Sequence, residues 1–113
     1  MPTTFERSLV RQGRRGTTVT IPAGWMATRY LTAGDKVEIE ADDALVIYPH
    51  RGRRRKPTNF VRVISKKSGA YSYRVTVPPS WMRQHNLQPG DKVRVQVGDE
   101  LTISAIPVYK LRP

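Results

Sequence analysis

Val19-Thr20-Ile21-Pro22 and Val75-Thr76-Val77-Pro78 are nearly one phrase written twice in a chain of 113 residues. Reading onward from either copy, the match continues without a gap. Trp25-Met26 returns as Trp81-Met82, Gly34-Asp35-Lys36-Val37 as Gly90-Asp91-Lys92-Val93, Leu45 as Leu101 and Ile47 as Ile103. Every pair is separated by the same 56 positions, as 19 is from 75. Self-similarity at a fixed period marks a duplicated structural unit.

Each unit has the same internal order. A first strand is expected over residues 7–12 and again over 60–66. A basic turn follows, Gly13-Arg14-Arg15-Gly16 or Lys67-Ser68-Gly69-Ala70. The next strand runs to the proline, with Tyr71, Tyr73, Val75 and Val77 alternating against Ser72, Arg74 and Thr76, the period of a half-buried strand. Pro22 and Pro78 close it, because proline has no N–H for a ladder and suits the first turn of a helix. Short helices are predicted over 24–30 and 80–86, too short to hold without packing. Gly34-Asp35 and Gly90-Asp91 read as turns. A hairpin then ends each unit, 36–40 with 44–48 and 92–97 with 100–105, with Asp42-Asp43 and Gly98-Asp99 at the tips.

The expected organisation is therefore a first repeat over residues 1–48, a basic linker over 49–59 and a second repeat over 60–113. A unit of this size buries too little apolar surface to stand alone. The core candidates of the first are Val19, Ile21, Trp25, Met26, Leu31, Val37, Ile39, Leu45 and Ile47. Those of the second are Val75, Val77, Trp81, Met82, Leu87, Val93, Val95, Leu101 and Ile103. Pooling them in one barrel would complete the core and cover strand edges.

The order of strand, basic glycine turn, strand ending in V-T-[IV]-P, short helix with Trp and then G-D-K-V before a hairpin resembles the AbrB/MazE/SpoVT family. Both copies match, over residues 7–48 and 60–106. The resemblance implies a mainly β fold with two short helices, a swapped-hairpin β-barrel made as an intramolecular pseudo-dimer by two tandem repeats. Further homodimerisation stays open, since most relatives carry one copy per chain. It also implies double-stranded DNA as the partner, met by the N-terminal strands and turns: Arg7, Arg11, Arg14 and Arg15 in the first copy, and Arg62, Lys66, Lys67 and Arg74 in the second.

The residues support the same reading independently. Lys and Arg number 20 against 9 Asp and Glu, a formal net charge of +11, which concentrates polyanions at the surface. Arginine supplies a planar fork for phosphate and guanine edges. Arg53, Arg54, Arg55 and Lys56, with Arg51, form a cluster in the linker that could reach a groove as an arm. Asp35, Glu38, Glu40, Asp42 and Asp43 make the first hairpin acidic, a segregation that suits a single DNA-facing side. Tyr71 and Tyr73 are candidates for base stacking, against the competing reading of rim packing.

Other classes find less support. No stretch approaches the roughly 20 apolar residues of a membrane span, and residues 1–10 lack the apolar core of a signal peptide. A cytoplasmic, nucleoid-associated protein is expected. With no Cys and two His, neither a metal site nor a cofactor nor an enzymatic dyad is anticipated. The function expected is an AbrB-like transcriptional regulator on duplex DNA. A sequence-tolerant, chromatin-like protein is one alternative. An antitoxin or adaptor module is another, disfavoured by the short stretch over 107–113 after the last strand. RNA binding remains a fourth.

Overall fold

The computed structural model describes residues 3–13, 16–50, 59–66 and 72–106. The protein is mainly β with two short helices. In chain order the elements are β1 Thr3–Ser8, β2 Val10–Arg11, β3 Thr17–Ile21, α1 Ala23–Thr28, β4 Lys36–Ala41 and β5 Leu45–Pro49. Then come β6 Phe60–Val63, β7 Ser65–Lys66, β8 Tyr73–Thr76, α2 Pro79–Gln84, β9 Lys92–Val97 and β10 Leu101–Ala105.

Two sheets enclose one core. The larger has six strands in the order β1-β9-β10-β5-β4-β6, and the smaller four in the order β2-β3-β8-β7. Alternation places Val37, Ile39, Leu45, Ile47, Val93, Val95, Leu101 and Ile103 inward from the large sheet, all 0–1 % exposed. Val19 and Val75 meet them from the small sheet, and Trp25, Met26, Trp81 and Met82 pack from the helices. Every core candidate named from the sequence is buried, except Leu31 and Leu87, which are partly buried against the core.

The two halves exchange their first strands. β1 pairs with β9 of the second half, and β6 pairs with β4 of the first. At the centre of the large sheet Val46 faces Thr102, and in the small sheet Val19 faces Val75. In each case these are residues 56 positions apart, so a pseudo-twofold axis runs through both pairs.

The first strands depart from expectation. One run over 7–12 was anticipated, but β1 begins at Thr3, and the chain leaves the large sheet at Leu9 to enter the small one as β2. Ile64 makes the same break between β6 and β7. The cause is a corner. Leu9 N–H donates to the Asp91 carbonyl at 2.8 Å and the Leu9 carbonyl accepts from Gly90 N–H at 2.7 Å, while Ile64 does the same with Asp35 and Gly34, both at 2.8 Å. Both side chains are 1 % exposed. The Gly-Asp turns are thus seats for the other half's corner residue, with Gly34 and Gly90 at φ 96° and 97° as positive φ requires.

The helices also end earlier than expected, at Thr28 and Gln84, because Tyr30 (φ 57°) and Asn86 (φ 55°) turn left-handed. Reading the first hairpin as uniformly acidic surface needs correction too. Glu38 lies on the outer side of β4 yet is only 6 % exposed. β5 and β6 flank β4 on opposite sides and run parallel to each other. His50, which follows β5, and Asn59, which precedes β6, both sit on Glu38. Asp35 is also engaged, accepting from Thr32 N–H at 2.9 Å. No helix is long and apolar enough to cross a membrane among the described residues.

Candidate nucleic-acid interface

The outer side of the small sheet is built from alternate residues of four short strands. Register puts Val10 opposite Thr18, Thr18 opposite Thr76, Thr20 opposite Arg74, and Arg74 opposite Ser65. Inward-facing Val19 and Val75 anchor this surface from below. Thr18 Oγ1 donates to the Val10 carbonyl at 3.3 Å and Ser65 Oγ to the Arg74 carbonyl at 3.4 Å, which fixes the outer strands.

Basic residues stand at both ends. Arg11 closes β2 and Lys66 closes β7; both are exposed, and the pseudo-twofold exchanges them. Each leads into a predicted basic turn. Gly13 (φ 53°) and Gly16 (φ 96°) bracket the first, closed by Gln12 N–H donating to the Gly16 carbonyl at 2.8 Å. Arg14, Arg15 and Lys67 lie outside the described residues, as do Arg53, Arg54, Arg55, Lys56 and Tyr71.

Arg74 breaks the symmetry of this surface, because Thr18 occupies its place in the first half. Arg74 is partly buried, and its Nε has no hydrogen-bond partner. Tyr73 faces the other way, partly buried against the core, with Lys66 Nζ 5.5 Å from its ring centroid. That is the rim-packing outcome rather than a stacking platform.

Arg7 and Arg62 are not part of this face. They belong to β1 and β6, the edge strands of the large sheet, before the corner residues. Their guanidinium groups lie over Phe5 (4.4 Å) and Phe60 (5.0 Å). Each also donates to the preceding carbonyl at 3.2 Å. The small sheet therefore carries Arg74 on its outer side and Arg11 and Lys66, paired with Thr17 and Tyr73, at its two ends, whereas Arg7 and Arg62 belong to the large sheet.

Charge is distributed more unevenly than the motifs alone suggest. Residues 1–48 carry six basic and six acidic side chains, 49–59 five basic and none acidic, and 60–113 nine basic and three acidic. The entire excess thus falls on the linker and the second half. Counting by half rather than by motif would have found this.

The most tightly built polar cluster lies on the opposite side of the molecule. Glu38 Oε2 accepts from Asn59 Nδ2 at 2.6 Å and from the Tyr48 hydroxyl at 3.0 Å; His50 Nδ1 is 3.3 Å from Oε1. The Asn59 hydrogen bond holds the Glu38 carboxyl below the usual carboxylate range, against burial, which acts to raise it. Burial, with the hydrogen bond to Glu38, pushes Tyr48 up to about 12. Neither the motifs nor the spacing pointed to this cluster. Among the described residues no group of three His, Cys, Asp or Glu could hold a metal ion.

Residues 71–110 match the family model of the MazE bacterial antitoxin, described as antidote-toxin recognition. The matched stretch spans β8, α2, β9 and β10. Neither the curated proteins nor the solved structures yield a significant match.

Proposed function

We propose that the chain binds double-stranded DNA through the small sheet and its two basic turns, as an AbrB-like transcriptional regulator. In this reading residues 1–48 and 60–113 are two copies of one unit, the second resembling MazE, joined as a swapped-hairpin pseudo-dimer inside one chain. The observation that carries it is the pseudo-twofold relation of Arg11 and Lys66, two exposed basic residues at the ends of the small sheet, each leading into a basic turn. Duplex DNA has dyad symmetry of its own, so twofold-related contacts can meet equivalent phosphates on both strands. Arg14, Arg15 and Lys67 would extend these contacts at the turns, and Arg53, Arg54, Arg55 and Lys56 would add phosphate contacts from the linker. Arg7 and Arg62 would serve at the margin. No catalytic step or cofactor enters this reading, which places the protein in the cytoplasm on the nucleoid.

The two ends are unequal. Arg74 replaces Thr18, and Ala70-Tyr71 stand where the first half has Arg14-Arg15. The preferred site is accordingly an imperfect palindrome. Fluorescence anisotropy on unrelated duplexes across a salt series tests this. One duplex should bind about 1,000-fold or more tighter than the rest. Replacing Arg11 and Lys66 by Ala should flatten the salt slope by about one unit for each lost phosphate contact. Equal, steeply salt-dependent binding to all duplexes would favour a chromatin-like protein.

The antidote-toxin description of the matched family favours a second reading, a protein-binding antitoxin or adaptor. Absence of binding to any DNA at low salt would make that the better one.

A further inference from the structure

Every ladder that joins the halves would form equally well between two chains. β1–β9, β3–β8, β5–β10 and β4–β6 each take one strand from each half. Because the halves are alike, a first half could also meet the first half of a second copy. The register shows what such an encounter would bring together.

β1 and β6 occupy equivalent places. Phe5 faces Val95 and Phe60 faces Ile39, two partners 56 positions apart. Glu6 is therefore the counterpart of Val61, and Thr4 that of Asn59. Likewise Glu38 on β4 is the counterpart of Arg94 on β9. Within the chain Glu6 faces Arg94, opposite charges on the outer side of the large sheet, and both are exposed. On the other side Val61 faces Glu38, and Asn59 supplies the amide that satisfies its carboxylate at 2.6 Å. Pairing of two first halves would set Glu6 directly opposite Glu38, and would do so twice. It would also replace Asn59 by Thr4. Like charges directly opposite one another destabilise a strand pair, and here one of the two carboxylates is nearly buried.

We infer that Glu6, Glu38, Asn59 and Arg94 form a pairing code: the first half accepts the second half and refuses a copy of itself. The code works by repulsion as well as attraction, as discrimination between similar partners generally requires. It makes the chain's own second half, or that of a second copy, the fitting partner for a first half. It excludes association through two first halves.

The chain contains no cysteine, which allows a direct readout. Val46 faces Thr102 across the pseudo-twofold, so pairing of two first halves would set Val46 opposite Val46. Directly opposed strand residues lie within disulfide range. Val46→Cys alone therefore cross-links only when like halves meet, whereas Val46→Cys with Thr102→Cys cross-links unlike halves. Glu6→Arg reverses the code, placing an arginine against Arg94 within the chain and against Glu38 between like halves. Residue 6 is exposed, so the fold has no core contact to lose there.

At about 1 mM chain, comparable to the effective concentration of a tethered half, the double-cysteine protein should oxidise to a cross-linked species. Val46→Cys alone should remain a monomer. Adding Glu6→Arg to Val46→Cys should raise the covalent dimer roughly tenfold or more, the factor that corresponds to about 1.4 kcal/mol. Glu6→Gln, which removes charge without reversing it, should fall between them. Covalent dimer from Val46→Cys in the native background, or no increase with Glu6→Arg while circular dichroism shows a folded chain, would overturn the code. None of these outcomes depends on whether the protein binds DNA.

Discussion

Glu38 is a carboxylate removed from water and satisfied by three neighbours from two stretches of chain, Tyr48 and His50 at the end of β5 and Asn59 before β6. Its removal leaves the Asn59 amide and the Tyr48 hydroxyl without their common acceptor, and an unsatisfied buried polar group costs about 1–3 kcal/mol. Glu38→Ala should lower the urea-derived stability by about that amount. The depressed Glu38 carboxyl contributes stability that is present above the unfolded carboxylate value and lost as pH falls through the folded one. The stabilities of the native chain and Glu38→Gln should therefore converge in acid. Tyr48 gives the opposite sign. Its raised phenol contributes stability below the unfolded value of about 10, and this is lost as pH rises through about 12. An ultraviolet titration should show one tyrosine ionising near 12, and Glu38→Gln should lower that midpoint. None of this was legible in the sequence. Glu38 sits in a run of acids at a strand period, and only the positions of His50 and Asn59, set by topology, bury it.

At the scale of elements the sequence was largely transparent, because alternation, prolines and Gly-Asp turns act locally. Val19 and Ile21, and Val75 and Val77, face inward as the pattern requires, and Trp25 and Trp81 pack where the helices place them. The corner residues escaped notice for a physical reason. Leu9 and Ile64 stand singly between polar or exposed neighbours, and their burial depends on a turn in the other half. Each seats a strand that changes sheet, so neither can be trimmed cheaply. Leu9→Ala or Ile64→Ala should cost about 2–5 kcal/mol in denaturant unfolding, while Val63→Ala, on the exposed side of β6, should cost far less. Equal costs at the three positions would argue against the corner role.

For the whole molecule, the strand register supplied what the self-similarity of the sequence could not. Arg7 and Arg62 were grouped with Arg11 and Lys66 because they share a run of sequence, but the corner directs them to different sheets. The excess charge belongs to the linker and the second half, so DNA should feel the two ends unequally even where the backbone is symmetric. The DNA-facing side is the central claim, and an NMR titration of labelled protein with a short duplex tests it most directly. Amide shifts should move at residues 10–12, 16–20, 64–66 and 73–76, in both halves and at stoichiometric DNA. Lys36, Lys92 and Arg94, on the outer side of the large sheet, should stay still. Perturbation centred on those three, or none at all at low salt, would contradict the account.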